Sequence, residues 1–265
     1  MIIAHISDTH IALTTPDADQ RMSDLALTIA DINVLDPVPD LIIHTGDITH
    51  SGQYDEYVLT ASVLATARVP VYVAAGNKDN RVNLRKALCA YLGPVSDSGY
   101  IDYAIDNHSV RLIALDTFSP GSNKGDFCRE RDRRLSELID AESVKPIAVF
   151  MHHPPFMVTV GPDPLSFVSV DAMSRVQQAL QHSGRVSAIF SGHVHRSTGG
   201  QVGCIPATVV PSTATTLRKG EYPGHMKAQP VYHLHRFDPA WGFVTEARIV
   251  GAVSSTGDIR EGAPS

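Results

Sequence analysis

Residues 2–10 read IIAHISDTH. A short Ile-rich run, IIAHIS (2–7), gives way abruptly to Asp8-Thr9-His10. Brevity, β-branched residues and a sharp polar boundary mark a buried strand rather than a helix. The same change recurs along the chain. LIIHT (41–45) ends in Gly46-Asp47, VPVYVAA (69–75) in Gly76-Asn77, PIAVFM (146–151) in His152-His153, and VSAIFS (186–191) in Gly192-His193-Val194-His195. A sixth run, VRLIALD (110–116), ends on Asp116.

Helical spacing fills most of the gaps. In 19–34, Met22, Leu25, Ala26 and Ile29 share a face, and in 54–66 Tyr54, Tyr57, Val58, Ala61 and Leu64 do the same. Leu84, Leu88 and Tyr91 mark a third helix, Leu135, Leu138 and Ile139 a fourth, and Val170, Met173, Val176, Gln177 and Leu180 a fifth. Strands alternating with helices predict an α/β core, and alone they suggest one doubly wound sheet. The last part changes character: ATVVPST, VYHLHRF and GFVTEARIV read as strands with no helix between them, an antiparallel end. No Pro/Gly/Ser linker and no repeat divides residues 1–265, so one domain is expected, with a frayed tail over about 253–265.

In α/β sheets, sites gather at the C-terminal ends of the strands. Five strand ends carrying Asp, Asn or His are therefore expected to share one crevice. Asp8-x-His10 and His193-x-His195 put two side chains on one side of an extended chain. Gly46, Gly76 and Gly192 permit sharp turns and close approach. Asp47 offers two carboxylate oxygens, able to bridge two cations, and Asn77 a neutral amide oxygen. Asp8, His10, Asp47, Asn77, His152, His193 and His195 are too many donors for one ion with an open position and suit two ions sharing a carboxylate. Each motif is weak alone; the ordered series is not.

Bulk composition agrees. The chain holds 13 histidines in 265 residues, with 43% hydrophobic and 19% charged residues. A formal net charge of −6 argues against a nucleic-acid polymer as partner. The charge-dense stretch FCRERDRRLSELI (127–139) mixes both signs and reads as a solvated helix face. Cys89, Cys128 and Cys204 lack CxxC spacing and read as reduced thiols of a cytoplasmic protein. The first residues lack the basic region of a signal peptide, and no segment has the apolar length of a membrane span.

The series DxH…GD…GN…HH…GHxH resembles the calcineurin-like metallophosphoesterases over nearly the whole chain, from Asp8 to at least His195. HISDTH, GDI, FMHHPP and GHVH are most similar to bacterial class III cyclic nucleotide phosphodiesterases and glycerophosphodiesterases. The resemblance implies an α/β (α+β) four-layer αββα sandwich of two mixed sheets flanked by helices, with the antiparallel C-terminal end fitting the second sheet. It also implies two divalent metal ions: Asp8, His10 and His195 would hold one, Asn77, His152 and His193 the other, and Asp47 would bridge them. Donors of nitrogen and oxygen suit Mn, Fe, Co or Zn without choosing among them. A metal-bridging hydroxide would then attack the phosphorus of a small phosphodiester, a cyclic nucleotide or a glycerophosphodiester. The alternatives are a phosphomonoesterase of the same family and a non-catalytic metal-binding scaffold. Only Arg81 and Arg196 follow motifs closely, which favours diesters, since a monoester carries more charge.

The chain departs from the family at Lys78, where GN is usually followed by His. An imidazole, with a pKa of about 6.5, can protonate a leaving oxygen at neutral pH; an ordinary lysine, at about 10.4, holds its proton too tightly but still offers positive charge. Three readings follow: an enzyme in which Lys78 acts electrostatically, an enzyme impaired toward poor leaving groups but competent with strained ones such as 2′,3′-cyclic nucleotides, and the scaffold. Lys78 and His50 are the candidate substrate contacts, and Lys78 with Asp47 the candidate catalytic groups.

Other residues have structural readings. Asp79 is expected to pair with Lys78 or cap the helix starting near Asn80. His153 either supports the ligands or packs. His5 and His44 are expected to pack within strands, His225, His233 and His235 to occupy surface or sheet positions, and Asp116 to brace a loop. The segment PFMVTVGPDPLSFVSVD (155–171) reads as an apolar lip over the metals or as a contact between copies in a homo-oligomer.

Overall fold

The computed structural model describes residues 1–95, 98–142, 144–160 and 163–251. The C-terminal tail lies outside them. In chain order the elements are β1 (Ile2–Ile6), α1 (Ala18–Asn33), β2 (Leu41–His44), α2 (Tyr54–Leu64), β3 (Val71–Val73), α3 (Arg81–Ala87), β4 (Tyr103–Ile105), β5 (Arg111–Leu115), α4 (Arg129–Asp140), β6 (Ile147–Met151), α5 (Val170–His182), β7 (Val186–Ser191), β8 (Thr198–Val202), β9 (Ile205–Val209), β10 (Val231–Asp238) and β11 (Gly242–Ile249).

The strands form two mixed sheets, not one. A five-stranded sheet has the order β11-β10-β1-β2-β3, and a six-stranded sheet the order β4-β5-β6-β7-β9-β8. Each has a parallel run, β1-β2-β3 and β5-β6-β7-β9; antiparallel strands add β10 and β11 on one side of the first, and β4 and β8 at the two edges of the second. Helix–strand alternation could not reveal the division, because each βα unit has the same local pattern in either sheet.

Side-chain alternation shows how the layers stack. In the second sheet, Leu112, Ala114, Ala148, Phe150, Ala188 and Phe190 pack with the first sheet and with α1, α2 and α3. Their neighbours Ile113, Leu115, Ile147, Val149, Met151 and Ile189 pack with Leu135 and Ile139 of α4 and Met173, Val176 and Leu180 of α5. Successive residues of a strand face opposite ways, so each central strand of the second sheet is buried on both faces. This explains why these runs read as continuous apolar sequence.

Two strands escape the apolar-run criterion. β4 has three residues, and β8, TGGQV, places two glycines on an exposed edge, where a strand needs neither bulk nor burial. The C-terminal strands divide between the sheets: β9 joins β7 in parallel, while β10 and β11 extend the first sheet from β1. They do not by themselves form the second sheet.

Candidate metal centre

All seven candidate donors converge where β1, β2 and β3 of one sheet meet β6 and β7 of the other. They fall into two groups. In the first, His195 Nε2 lies 3.2 Å from Asp8 Oδ1, and His10 Nε2 lies 3.1 Å from His195 Nε2 and 3.5 Å from Asp47 Oδ2. In the second, Asn77 Oδ1 lies 3.1 Å from both His152 Nε2 and His193 Nδ1, and His152 Nε2 lies 3.4 Å from Asp47 Oδ1. Asp47 thus turns one oxygen toward each group.

The close approach of the strand ends depends on glycine at two points. A Cβ on Gly76 would stand 2.1 Å from the Asp47 backbone nitrogen, and one on Gly192 would stand 1.9 Å from Ser7 Oγ. The i, i+2 pairs do not converge as extended chain. Asp8, His10, Asp47, His193 and His195 have φ of 53°, 44°, 49°, 74° and 58°, and they are the non-glycine residues with positive φ among the described residues. Left-handed backbone costs of order 1–3 kcal/mol per residue, and it persists where surrounding structure enforces it. Here a lattice of backbone bonds does so: Asp8 N–H donates to Gly46 O, His10 N–H to Asp47 O, and His193 N–H to Asp8 Oδ2, at 3.0, 3.0 and 2.9 Å.

The imidazole tautomers are set from behind. His152 Nδ1 donates to the Thr45 carbonyl at 2.8 Å, and His195 Nδ1 to the Leu217 carbonyl at 3.1 Å. In each neutral ring the Nε2 lone pair then faces carboxylate oxygen, and lone pairs in buried contact need a positive charge between them. Protonation behaviour reports the same demand. Burial disfavours the imidazolium of His152, yet the Asp47 carboxylate outweighs it and raises the pKa to about 9. Burial would raise Asp47, but the charge of His152 brings it down to about 2. His193 falls to about 3 through burial and the charge of His152. Asp8 Oδ1 is moreover buried without a hydrogen bond. The donor set therefore fits cations: the donor atoms of Asp8, His10, Asp47 and His195 lie close enough together to hold one, and those of His152, His153 and His193 close enough to hold another.

His153 lies beside the second group but has other partners. Its Nδ1 meets Thr117 Oγ1 at 2.8 Å and its Nε2 the Asn123 carbonyl at 3.3 Å, while its ring packs on those of His152 and His193. It holds their rings in place.

Asp79 neither pairs with Lys78 nor caps the helix. Asn80 caps α3, accepting from Val82 N and Asn83 N. Asp79 is buried beneath the two Gly loops, where Oδ2 accepts from Gly76 N at 2.8 Å and Ile48 N at 3.3 Å, and Oδ1 from Tyr57 Oη at 2.9 Å and Thr49 N at 3.3 Å. Burial, reinforced by Asp47, pushes its pKa up to about 6. The Lys78 side chain is exposed, and its backbone N–H donates to Asp47 Oδ1 at 2.7 Å. His50 is exposed at the rim, with Nδ1 3.2 Å from Arg21 Nη1. Arg21, which sequence reasoning missed, also donates to the His10 carbonyl at 3.0 Å. It gave no signal because it lies on a helix face remote from every motif.

Arg81 is turned away from the centre by a bidentate bond to Asp116, at 2.6 and 2.8 Å. Asp116 also accepts from Ile101 N and Phe118 N, so it braces a loop. Arg196, by contrast, lines a cleft beside His193 together with Lys124, Lys219, Val158, Val160 and Leu165. The aromatic residues of the expected lip are not at its surface: Phe156 and Phe167 are buried in the core, and of its valines Val158 and Val160 face the cleft.

Of the two positions expected for His233 and His235, surface or sheet, they take the sheet, in β10. They and His5 are buried between the sheets. His5 Nδ1 meets His235 Nε2 at 3.0 Å, and His5 Nε2 meets Thr45 Oγ1 at 2.9 Å, so this cluster stands directly behind the residue whose carbonyl orients His152. Burial holds the pKa of His5 and His235 well below the usual imidazole range. His44 is buried too, bonded to Thr9 Oγ1 and Gly46 N, and His225 falls in the short 3₁₀ turn Gly224–Met226. No helix among the described residues is long and apolar enough to cross a membrane.

Comparison with known proteins places this arrangement. The chain is 30% identical over 259 residues to a probable glycerophosphodiester phosphodiesterase of Arcobacter nitrofigilis, covering 95% of this chain and 94% of that one. It is 29% identical over 228 residues to a cAMP/cGMP dual specificity phosphodiesterase of Mycobacterium tuberculosis, covering 81% and 68% of the two chains. Among solved structures, GAP50, the anchor in the inner membrane complex of Plasmodium, shares the fold with a TM-score of 0.63 at 13% identity, over 95% of this chain and 85% of that one. The profile of the calcineurin-like phosphoesterases matches residues 1–197, and the chain belongs to that family.

Proposed function

We propose that this chain is a dinuclear metal-dependent phosphodiesterase acting on small diesters such as glycerophosphodiesters or cyclic nucleotides. Asp8, His10 and His195 would hold one ion, Asn77, His152 and His193 the other, and Asp47 would be shared between them. The observation that carries this reading is the division of Asp47, whose Oδ2 faces His10 and whose Oδ1 faces His152. Bound ions supply Lewis acidity and activate water for attack on phosphorus. The chain's residues do the positioning. Thr45 and Leu217 fix the tautomers, His153 packs the rings, and Asp79 holds the Gly46 and Gly76 loops at bonding distance. Lys78 contributes positive charge at the rim through an exposed ammonium.

The all-nitrogen-and-oxygen donor set supports Mn, Fe, Co or Zn. Free Cys89 and Cys204, both exposed, support a reducing, cytoplasmic setting. A diester is favoured over a monoester because Arg81 is committed to Asp116 and so is withheld from a dianionic phosphoryl group. The two sequence relatives from Arcobacter nitrofigilis and Mycobacterium tuberculosis are named as a probable and a dual specificity phosphodiesterase, which supports the same choice. The test compares kcat/KM for bis(p-nitrophenyl) phosphate and p-nitrophenyl phosphate with added manganese. The diester should be the better substrate; a strong preference for the monoester would make the chain a phosphomonoesterase.

A further inference from the structure

The cleft beside His193 has a volume of about 670 Å³. That is far more than a phosphoryl group fills and falls within the roughly 300–1,000 Å³ that accommodates a drug-sized molecule. Its lining is divided. Val158, Val160 and Leu165 make an apolar side, and Lys124, Arg196 and Lys219 bring cations against one carboxylate, Asp163. On a chain of formal charge −6 this is a local reversal of sign.

The three cations are not equivalent. Lys124 Nζ stands 3.0 and 2.9 Å from the two oxygens of Asp163, which offsets its charge. Arg196 and Lys219 form no ion pair among the described residues, and Arg196 Nε is buried without a hydrogen-bond partner. Their placement is fixed by the backbone. Lys219 N–H donates to the His195 carbonyl at 2.8 Å, and His195 Nδ1 donates to the Leu217 carbonyl at 3.1 Å. Arg218 ties the same segment down through the carbonyls of Gln229, Met226 and Lys227, at 2.6, 2.7 and 3.1 Å. Two cations with no internal ion pair among the described residues therefore flank a tied-down junction next to the candidate metal centre. Unpaired arginine and lysine with open donors are complementary to an oxyanion.

We infer that the cleft selects phosphodiesters in which one alcohol carries a second oxyanion, a carboxylate or a phosphate monoester, bound by Arg196 and Lys219. The connecting carbon skeleton or base lies against Val158, Val160 and Leu165. This rests on the diesterase reading of the adjacent centre and narrows it: an unmodified glycerol diester or a cyclic nucleotide leaves these two cations idle.

Two matched substrate pairs test it on the metal-loaded protein. One is the dinucleotide ApA with its 5′-phosphorylated form, pApA. The other is glycerophosphoglycerol with the analogue whose terminal alcohol is oxidised to a carboxylate. The anion-bearing member of at least one pair should have a kcat/KM roughly 10–100-fold higher, as expected for charge-assisted bonds. Which pair responds identifies phosphate or carboxylate. R196Q and K219Q should each shrink that ratio by raising KM for the anionic member, and high salt should shrink it too. Lys219 is exposed, so its variant serves if R196Q fails to fold. Equal kcat/KM within both pairs, or a ratio that both variants leave unchanged, overturns the subsite while diester turnover stands. Absence of turnover on every diester, bis(p-nitrophenyl) phosphate included, overturns the diesterase reading and the subsite with it.

Discussion

The Lys78 backbone N–H donates to Asp47 Oδ1 at 2.7 Å, so residue 78 is tied to the Asp47 carboxylate by its main chain and not by its side chain. The position is therefore fixed whatever the side chain is. Lys78→His should fold and bind metal normally, and should raise kcat on diesters with unactivated alcohol leaving groups, because imidazole can donate a proton at neutral pH. General acid catalysis is worth roughly 10²–10⁴-fold in full, so a gain of about tenfold is a modest expectation. An unchanged rate would mean that leaving-group protonation does not limit this enzyme.

Asp79 is the brace beneath the centre, and its two oxygens serve five donors from Gly76, Ile48, Thr49 and Tyr57, Thr49 giving both its N–H and its hydroxyl. Asp79→Ala leaves these buried donors unpaired and should destabilise the protein by about 3 kcal/mol or more. Asp79→Asn keeps one accepting oxygen and should cost less than half as much. Thermal unfolding of the two variants gives the order; equal melting temperatures would remove Asp79 from this role.

The glycines differ in what surrounds them. A Cβ on Gly76 would meet the Asp47 backbone at 2.1 Å, whereas one on Gly199 has its nearest contact at 3.7 Å, the Ala207 carbonyl. Gly76→Ala should abolish activity and lower stability sharply. Gly199→Ala should be neutral or stabilising by about 0.4–1 kcal/mol, the entropy removed from the unfolded chain. Denaturant titration of both variants measures the contrast.

How much of this was legible in sequence depended on how each feature is encoded. The candidate donor loops of Asp8, Asp47, Asn77, His152 and His193 were visible because burial makes the preceding strands apolar and leaves an abrupt polar boundary. The carbonyls of Thr45 and Leu217 were not, since every residue type offers the same acceptor. The positive φ of Asp8 and His193 leaves no mark, because Asp and His tolerate that region without being required by it. His5 and His235 meet across 230 positions, a relationship no local pattern encodes. The partition into two sheets was likewise hidden, and entered only through the family resemblance.

One pH effect is separate from the metal centre. Asp31 on α1 accepts from Tyr232 Oη at 2.7 Å and Arg248 Nε at 2.9 Å, tying the helix to β10 and β11. Burial opposes its ionisation, but the bonds from Arg248 and Tyr232 prevail and hold its pKa below the usual carboxylate value. A depressed carboxylate stabilises the fold above its unfolded pKa of about 3.9, and that contribution is lost as pH falls through the lower folded value. Asp31→Asn should therefore cost about 1–2 kcal/mol at pH 7, a figure kept low because Arg248 is partly solvated. The gap between variant and parent should close in acid. A gap that persists below both pKa values would show that packing, not charge, accounts for the difference.

The central claim is that Asp47 joins two ions into one catalytic unit. Its most direct test measures metal per chain and turnover of bis(p-nitrophenyl) phosphate, in the parent protein and in Asp47→Ala, after loading with manganese. The account predicts two ions per chain and steady turnover in the parent, with loss of at least one ion and of nearly all turnover in the variant. Undiminished turnover in Asp47→Ala, or a parent that binds two ions and turns over no diester, would contradict it.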